Sequence, residues 1–326
     1  MKPRWLVAAA VLVAASVSGC TMNPNYPAPP VQPSASIPAA ILSVAHAPTV
    51  RLHFPAVGVY EKQSPVSYVG VSRFSAATKT RIQLAMYYAD WGGTFRISFA
   101  DQAAKRGAAT LVMLEPWSVK LASIADGHQD KWLRSYAAAI KSFRDPVIIA
   151  FGHEMNGCWY PWGPCKTPPR VFTAAWRHVV TVFRQMRVNN VRWLWEANAV
   201  WKGKAKRLTA LRADYPGDKW VTYVGVTGYY ARSSSTFSSE FSATMDAVRH
   251  FAHRPLMIGE TGVAPGRAQA QQIKNLFAGA KAYHVIAVVY FDVDQKAAGA
   301  FKQDWRLEGK PADLRAFHKA VMNLQS

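Results

Sequence analysis

The feature that most constrains the fold is an alternation of short apolar runs with longer amphipathic stretches from about residue 55 onward. Eight runs have the composition of buried strands, at 56–60, 82–88, 109–117, 146–154, 191–199, 220–230, 255–262 and 285–294. Helical patterns occupy segments such as 130–143, 169–186, 237–252, 268–282 and 312–324. This alternation is typical of a parallel sheet whose strands are joined by crossover helices.

The number of strands decides between two α/β architectures. Eight strand–helix units fit a single (β/α)8 TIM barrel, which needs about 250 residues, and the chain has 326. The alternative is a doubly wound open sheet, which often carries a glycine-rich phosphate turn after its first strand. No such turn follows Tyr60. We therefore predict one barrel domain over residues 51–326.

The N-terminus predicts export. Lys2 and Arg4 precede an apolar stretch at 5–17, and Ser18-Gly19-Cys20 follows it. Small residues directly before a cysteine resemble a bacterial lipoprotein signal. We expect residues 1–19 to be the signal peptide and Cys20 to carry the lipid, with a plain cleaved signal as the alternative.

Residues 20–50 have the composition of a tether. They contain seven prolines and no Lys, Arg, Asp or Glu, which predicts an extended linker without a packed core. We expect the barrel to be held on the cell membrane, facing the periplasm or the exterior. In an oxidising compartment the two remaining cysteines, Cys158 and Cys165, are expected to form a disulfide, with two free thiols as the alternative.

The charge balance indicates which partners to expect. The formal net charge is +20, and removing Lys2 and Arg4 with residues 1–19 leaves +18. Such a charge favours anionic surfaces, whether phospholipid, teichoic-type polymer or acidic polysaccharide, and an exported protein is not expected to bind nucleic acid. Because the basic residues are scattered, a solvated basic surface is the simplest interpretation.

Four glutamates fall at the trailing ends of predicted strands: Glu115, Glu154, Glu196 and Glu260. The active site of a TIM barrel lies at this end of the strands, and the chain has only 19 acidic residues. This concentration favours a functional role. For Glu115 and Glu196, a helix cap or a buried ion-pair partner is an equally good interpretation.

Glu154 and Glu260 form the natural catalytic pair. They follow strands four and seven, on opposite sides of the ring, and two carboxyl groups across one sugar are the minimal apparatus of glycoside hydrolysis. A separation of about 5–5.5 Å would indicate a covalent intermediate and retention. We predict Glu154 as the acid because aromatic residues surround it, and Glu260 as the nucleophile, stabilised by neighbouring backbone N–H groups.

Residues beside this pair are candidates for contacting sugar, because flat indoles stack on the apolar faces of sugar rings. The predicted substrate-binding residues are Trp117, His153, Asn156, Trp159, Trp162, Asn198 and Tyr229. No metal site and no cofactor are expected. In "HEMNG", Gly157 stands where a zinc protease carries its second histidine, and no serine-nucleophile elbow or phosphate-binding loop occurs.

The stretch "HEMNGCWYPWG" at 153–163 resembles the acid/base signature of glycoside hydrolase family 26, which includes β-mannanases and some mixed-linkage β-glucanases. The segments "VMLEPW", "WLWEANA", "GVTGYY", "IGETG" and "DWRL" extend the resemblance over roughly residues 55–320. It implies a retaining endo-acting enzyme with Glu154 as acid/base and Glu260 as nucleophile. It also implies that His153, Trp159 and Tyr229 line the subsite of the attacked sugar, with Tyr229 hydrogen-bonded to the nucleophile.

Three departures from the family pattern bear on the choice of sugar. Ala150 stands where many members have arginine, and Thr227 where mannanases often have aspartate. Tyr290 and Phe291 stand near the usual tryptophan of strand eight. We therefore expect a monomeric endo-β-glycosidase acting on a β-1,4-mannan or a mixed-linkage β-glucan. The alternative is a non-catalytic glycan-binding lipoprotein.

Overall fold

The computed structural model describes residues 50–201, 203–297 and 302–326. The predicted signal peptide, Cys20 and residues 20–49 of the predicted tether lie outside the described residues. Within the described part of the chain, no helix is both long enough and apolar enough to cross a lipid bilayer.

Eight parallel strands close into a barrel in sequence order, which confirms the predicted (β/α)8 fold. The strands are β1 (Ala56–Glu61), β2 (Leu84–Asp90), β3 (Ala109–Glu115), β4 (Val147–Phe151), β5 (Val191–Asn198), β6 (Tyr223–Tyr230), β7 (Leu256–Val263) and β8 (Ala287–Asp292). β1 and β8 close the ring in parallel register from Ala56 opposite Ala287 to Glu61 opposite Asp292.

Helices surround the barrel. They are α1 (Val69–Thr78), α2 (Ile97–Ala104), α3 (Leu121–Ala125), α4 (Asp130–Phe143), α5 (Pro169–Gln185), α6 (Ala205–Ala210), α7 (Ala243–Arg249), α8 (Gln269–Ala282) and α9 (Pro311–Gln325). A 3₁₀ turn (Leu211–Asp214) follows α6 and a π-helical turn (Ser238–Ser242) precedes α7. In α4, the buried residues Leu133, Tyr136, Ala137 and Ile140 repeat at the spacing of one helix face.

Strand side chains alternate between two cores. One set points outward and packs against the helices, as Tyr87 does against Phe99 at a ring separation of 5.6 Å. The other set fills the barrel interior and includes Leu84, Met86, Leu111, Met113, Ile148, Ala150, Leu194, Met257 and Val289. The interior is therefore packed with side chains, and an open site can form only above them.

The N-terminal end of the barrel is closed by the residues that precede β1. Val50 and Leu52 belong to the interior core at the level of Ala56, where the strands begin. The backbone N–H of Val50 donates to Asp145 Oδ1 at 2.8 Å, in the connection that enters β4. The described chain therefore enters on the side opposite the carboxyl ends of the strands.

The loop after β4 is pinned by the expected disulfide. Cys158 and Cys165 are bonded, with their Cα atoms 5.2 Å apart. Between them the chain makes a tight turn, in which the N–H of Gly163 donates to the carbonyl of Tyr160 at 3.2 Å. The bond therefore restrains the segment that presents Trp159 and Tyr160.

Replacing both cysteines, as Cys158→Ser with Cys165→Ser, should lower the free energy of unfolding by about 2 kcal/mol, because the closed loop restricts the unfolded chain. Urea titration with and without dithiothreitol measures this. Wild type should lose the same stability in reductant, whereas the double variant should not respond to it. A wild-type transition that reductant leaves unchanged would contradict a stabilising role for the bond.

Candidate active site

Glu154 lies in the turn that follows β4, three residues beyond the end of that strand. The predicted strand runs to residue 154, but the chain leaves the sheet at Gly152, where φ is +57°. Glu154 itself has a φ of +53°, a left-handed conformation that costs a non-glycine residue about 1–3 kcal/mol. Its N–H donates to the carbonyl of Glu196 at 2.8 Å, which fixes this backbone against β5.

Two N–H groups hold the Glu154 carboxyl group. Trp159 Nε1 donates to Oε2 at 3.0 Å, and Asn198 Nδ2 donates to Oε1 at 2.5 Å. Asn156 orients Asn198: its Nδ2 donates to the Asn198 carbonyl, and its Oδ1 accepts from the Asn198 N–H, both at 2.8 Å. The structure therefore brings four of the predicted residues together at the ends of β4 and β5.

The environment of Glu154 favours its protonated form. Burial raises its pKa to about 7, and the negative charge of Glu260 adds to the increase. The hydrogen bonds from Asn198 and Trp159 act in the opposite direction. Near neutral pH this carboxyl group can therefore hold a proton and release it.

Glu260 lies within β7, and its carboxyl group accepts hydrogen bonds from two phenol hydroxyl groups. Tyr229, from β6, donates to its Oε1, and Tyr88, from β2, donates to its Oε2. Burial raises the pKa of Glu260 above its usual value, and both phenol hydrogen bonds reduce this rise by stabilising the carboxylate. The stabilising donors are thus tyrosine hydroxyls, where the sequence suggested backbone N–H groups.

The two predicted carboxyl groups lie in one cluster across the barrel mouth. The charge of Glu260 acts on Glu154, and the Tyr229 phenol lies in the field of both carboxylates. Glu154 and Glu260 are each only 8% exposed, so this interaction occurs with little water between the groups.

An aromatic wall continues from Glu154 toward β3. The His153 side chain is buried, which lowers its pKa to about 3 and keeps the imidazole neutral. Its Nε2 lies 3.1 Å from the Tyr160 hydroxyl and 3.9 Å from Glu115 Oε1. His153 therefore faces Tyr160 and Glu115 and lies beside the carboxyl pair as a neutral polar group.

Trp162 departs from its predicted role. It is 1% exposed, and its indole stacks against Tyr160 with ring centroids 4.3 Å apart. Its Nε1 donates to the His153 carbonyl at 2.7 Å. An indole buried in this way has no open face for a sugar. The loop between the cysteines folds Trp162 inward, so its side chain packs beneath the aromatic wall.

Trp117 and Trp159 keep accessible surface. Trp117 is 38% exposed and meets Tyr160 edge-on at 5.4 Å. Trp159 is half-buried and oriented by its bond to Glu154. Together with Tyr160 they form the solvent-facing part of the wall.

Glu115 and Glu196 surround the pair at a deeper level. Glu196 is fully buried, accepts a hydrogen bond from Thr227 Oγ1 at 2.7 Å, and has its pKa raised to about 8 by burial. Gly259 leaves room for this side chain, because a Cβ at position 259 would force the Glu196 carboxyl group to move. Burial likewise raises the pKa of Glu115 to about 8. Burial therefore favours the protonated form of both side chains.

A second aromatic group forms the opposite wall, beside Glu260. Tyr60 packs against Tyr88 at 4.8 Å and against Phe291 at 5.1 Å, and Tyr229 packs against the buried Trp305 at 4.6 Å. Phe291 thus reaches the mouth of the barrel. Tyr290, its neighbour along β8, points outward instead, against Phe74 and Phe317.

Sequence reasoning missed Tyr88. It lies inside an apolar run with no distinguishing motif. The sequence signal that could have identified it is strand alternation, which turns Tyr87 outward and Tyr88 inward.

Among the described residues, no three His, Cys, Asp or Glu side chains are grouped in a way that could hold a metal ion.

Comparison with known proteins adds sequence evidence. The profile described as "Glycosyl hydrolase family 26" matches residues 118–305, which is more than half of the chain. Endoglucanase H of Acetivibrio thermocellus is 25% identical over 294 residues, which cover 83% of this chain and 32% of the relative. A mannan endo-1,4-beta-mannosidase of Bifidobacterium adolescentis is 30% identical over 101 residues, which cover 31% of this chain and 10% of that protein. The chain thus spans a third or less of these relatives.

The fold has counterparts among solved structures. A GH26 β-mannanase from Bacteroides ovatus superposes with a TM-score of 0.59 at 14% identity, covering 83% of this chain and 89% of the other. At that identity the likeness shows the fold alone. The match of the family profile goes further: the chain belongs to glycosyl hydrolase family 26.

Proposed function

We propose that the protein is a retaining endo-β-glycosidase that cleaves a β-1,4-mannan or a mixed-linkage β-glucan by double displacement. The observation that carries this proposal is the asymmetry of the carboxyl pair. The pKa of Glu154 is raised to about 7, whereas at Glu260 two phenol hydroxyls stabilise the carboxylate and oppose the rise that burial causes. One group suits proton donation and the other suits attack.

In the first step, a Glu260 oxygen bonds to the anomeric carbon while the bond to the leaving oxygen breaks. Glu154 gives its proton to that leaving oxygen, so the departing chain leaves as a neutral alcohol. The product of this step is a glycosyl ester on Glu260, with Glu154 left as a carboxylate.

In the second step, a water molecule attacks the same carbon, Glu154 takes a proton from it, and Glu260 leaves as a carboxylate. The charge interaction between the two groups supports this change of role from acid to base. Once Glu260 is esterified, its negative charge no longer raises the pKa of Glu154. Glu154 therefore stays ionised more readily and can accept a proton from the attacking water molecule.

Substrate binding is assigned to the surfaces beside this pair. Trp117 and Trp159 offer stacking area. His153 is only 2% exposed, so we assign it a supporting role through its contact with the Tyr160 hydroxyl. Asn156 and Asn198 act mainly by holding Glu154, and Tyr229 by holding Glu260. The names of the relatives, an endoglucanase and a mannan endo-1,4-beta-mannosidase, support a β-glycan backbone. No step requires a cofactor.

We also propose that the protein is an exported lipoprotein attached through Cys20. The Pro-rich segment would then join the barrel at Val50, on the face opposite the catalytic residues. Attachment at this end would leave the mouth of the barrel open to polymeric substrate.

The proposed roles predict the effect of removing each carboxyl group. Glu154→Ala and Glu260→Ala should each lower kcat on a soluble β-glycan by about a thousandfold or more, because each removes a group that acts in the transition state. Reducing-end release from galactomannan, glucomannan and mixed-linkage glucan measures this effect. Asp101→Ala, which removes an exposed acid from α2, should leave the rate unchanged.

The same panel separates the enzyme from the glycan-binding alternative. Wild type that releases no reducing ends from any β-glycan, yet is retarded by one of them in an affinity gel, would show a binding protein. Activity that survives the loss of Glu260 would contradict the proposed nucleophile.

The phenol of Tyr88 predicts a change in pH dependence. Tyr88→Phe removes one donor to Glu260, so the pKa of Glu260 should rise. Because Glu260 must be ionised to attack, the acidic limb of the kcat/KM profile should move to higher pH. At the optimum, kcat/KM should fall by roughly tenfold, the effect of one hydrogen bond to a charged group.

Tyr87→Phe is the matched control. Its hydroxyl accepts from the Arg96 N–H on the outer face of the same strand, so its removal should leave the acidic limb in place. An unchanged acidic limb in Tyr88→Phe would contradict the assigned role of Tyr88.

A further inference from the structure

Trp201 is an exposed indole at the mouth of the barrel. It lies three residues beyond Asn198, the residue that contacts Glu154, and is 49% exposed. The N–H groups of the two preceding residues are both bonded: Ala199 donates to the Thr227 carbonyl at 2.8 Å and Val200 to Thr244 Oγ1 at 2.7 Å. Three residues span at most about 10 Å, so Trp201 is within reach of an oligosaccharide bound at the carboxyl pair.

Arg232, in the loop after β6, is placed over this indole. Its guanidinium carbon lies 5.4 Å from the Trp201 ring centroid. Its backbone is held at both ends: its carbonyl accepts from Gln272 Nε2 at 2.7 Å, and its N–H donates to Ser235 Oγ at 3.3 Å. The side chain is exposed and makes no ion pair with any carboxylate of the described residues. The cation is therefore oriented but not neutralised by an acid.

The charge around the mouth is unevenly distributed. On the β8 side, Arg306 pairs with Asp294 and Asp304 at 3.2 and 2.8 Å, and Lys296 lies 3.4 Å from Asp304. On the β5 to β7 side, the described residues 203–213 contain four basic side chains and no acidic one. The loops at 231–237 and 264–268 add Arg232 and Arg267, again without an acid. In these segments beside Trp201 and Arg232, the basic side chains thus have no acidic neighbour in the sequence.

We propose that Trp201 and Arg232 form a subsite for a carboxylate-bearing sugar, and that the substrate is an anionic β-glycan. This inference rests on the proposed function and specifies its substrate class. The planar guanidinium presents paired donors that match a carboxylate, and stacking on the indole holds it in position. The open part of the indole can pack on the C–H face of the same sugar. The surrounding lysines and arginines raise the local concentration of an anionic polymer.

The test compares polymers that differ only in charge: neutral glucomannan and mixed-linkage glucan, and the same polymers carboxymethylated at a low degree of substitution. At low salt, wild type should show kcat/KM about tenfold higher on the carboxymethylated form, a preference that added salt reduces. Arg232→Gln and Trp201→Ala should remove most of this preference. Trp201→Ala should also lower the rate on the neutral form, because the indole can pack on either sugar. Arg232→Gln should lower the rate on the neutral form much less than the rate on the carboxymethylated form.

Arg192→Gln is the matched control. It removes the same charge from an exposed residue at the start of β5, at the opposite end of the barrel. It should keep the preference for the anionic polymer. If Arg192→Gln loses as much of the preference as Arg232→Gln does, net charge explains the effect and the subsite is overturned.

The outcomes also separate this inference from the proposed function. Equal rates on neutral and carboxymethylated polymer would overturn the subsite and leave the enzyme intact. If no polymer is cleaved, but the carboxymethylated form retards wild type and not Arg232→Gln in an affinity gel, the subsite stands and the proposed catalysis fails. Arg232→Gln that loses binding to phosphatidylglycerol vesicles, with glycan preference unchanged, would assign the patch to a membrane surface and overturn the proposal.

Discussion

The rest of the site depends on an unequal supply of hydrogen bonds to two buried carboxyl groups. Burial alone would raise both pKa values and leave neither group suited to attack. The phenols of Tyr88 and Tyr229 stabilise Glu260 as a carboxylate, and the resulting negative charge favours the protonated form of Glu154. One arrangement of donors thus sets both protonation states. In the proposed mechanism, esterification of Glu260 removes this charge and with it the part of the Glu154 pKa rise that the charge causes.

Barrel closure makes this arrangement possible. The donors to Glu260 come from β2 and β6, and the donors to Glu154 come from β5 and from the loop after β4, so they meet only because the sheet forms a ring. The contacts beneath the carboxyl pair also depend on particular residues. Gly259 leaves room for the buried Glu196, whose carbonyl holds the left-handed backbone of Glu154. The conformational cost at Glu154 is thus offset by contacts from the neighbouring strand.

The sequence predicts the parts of this structure that depend on period and spacing. The eight apolar runs correspond to the eight strands, and the seven-residue spacing of Cys158 and Cys165 corresponds to a disulfide. Features set by three-dimensional contacts could not be predicted. The left-handed turn that carries Glu154 beyond β4 depends on Glu196, and the inward folding of Trp162 depends on stacking with Tyr160. Tyr88 resembles any apolar strand residue until closure of the barrel places it beside Glu260.

The most direct test of the two-carboxylate mechanism is to trap the glycosyl ester. A 2-deoxy-2-fluoro β-glycosyl fluoride of the gluco or manno series forms the ester but slows its hydrolysis, because the fluorine destabilises the positive charge that develops in both steps. Peptide mass spectrometry of the inactivated protein should place a single sugar on Glu260. A label on Glu154, or turnover of substrate with an inverted anomeric product and no labelled peptide, would contradict the mechanism.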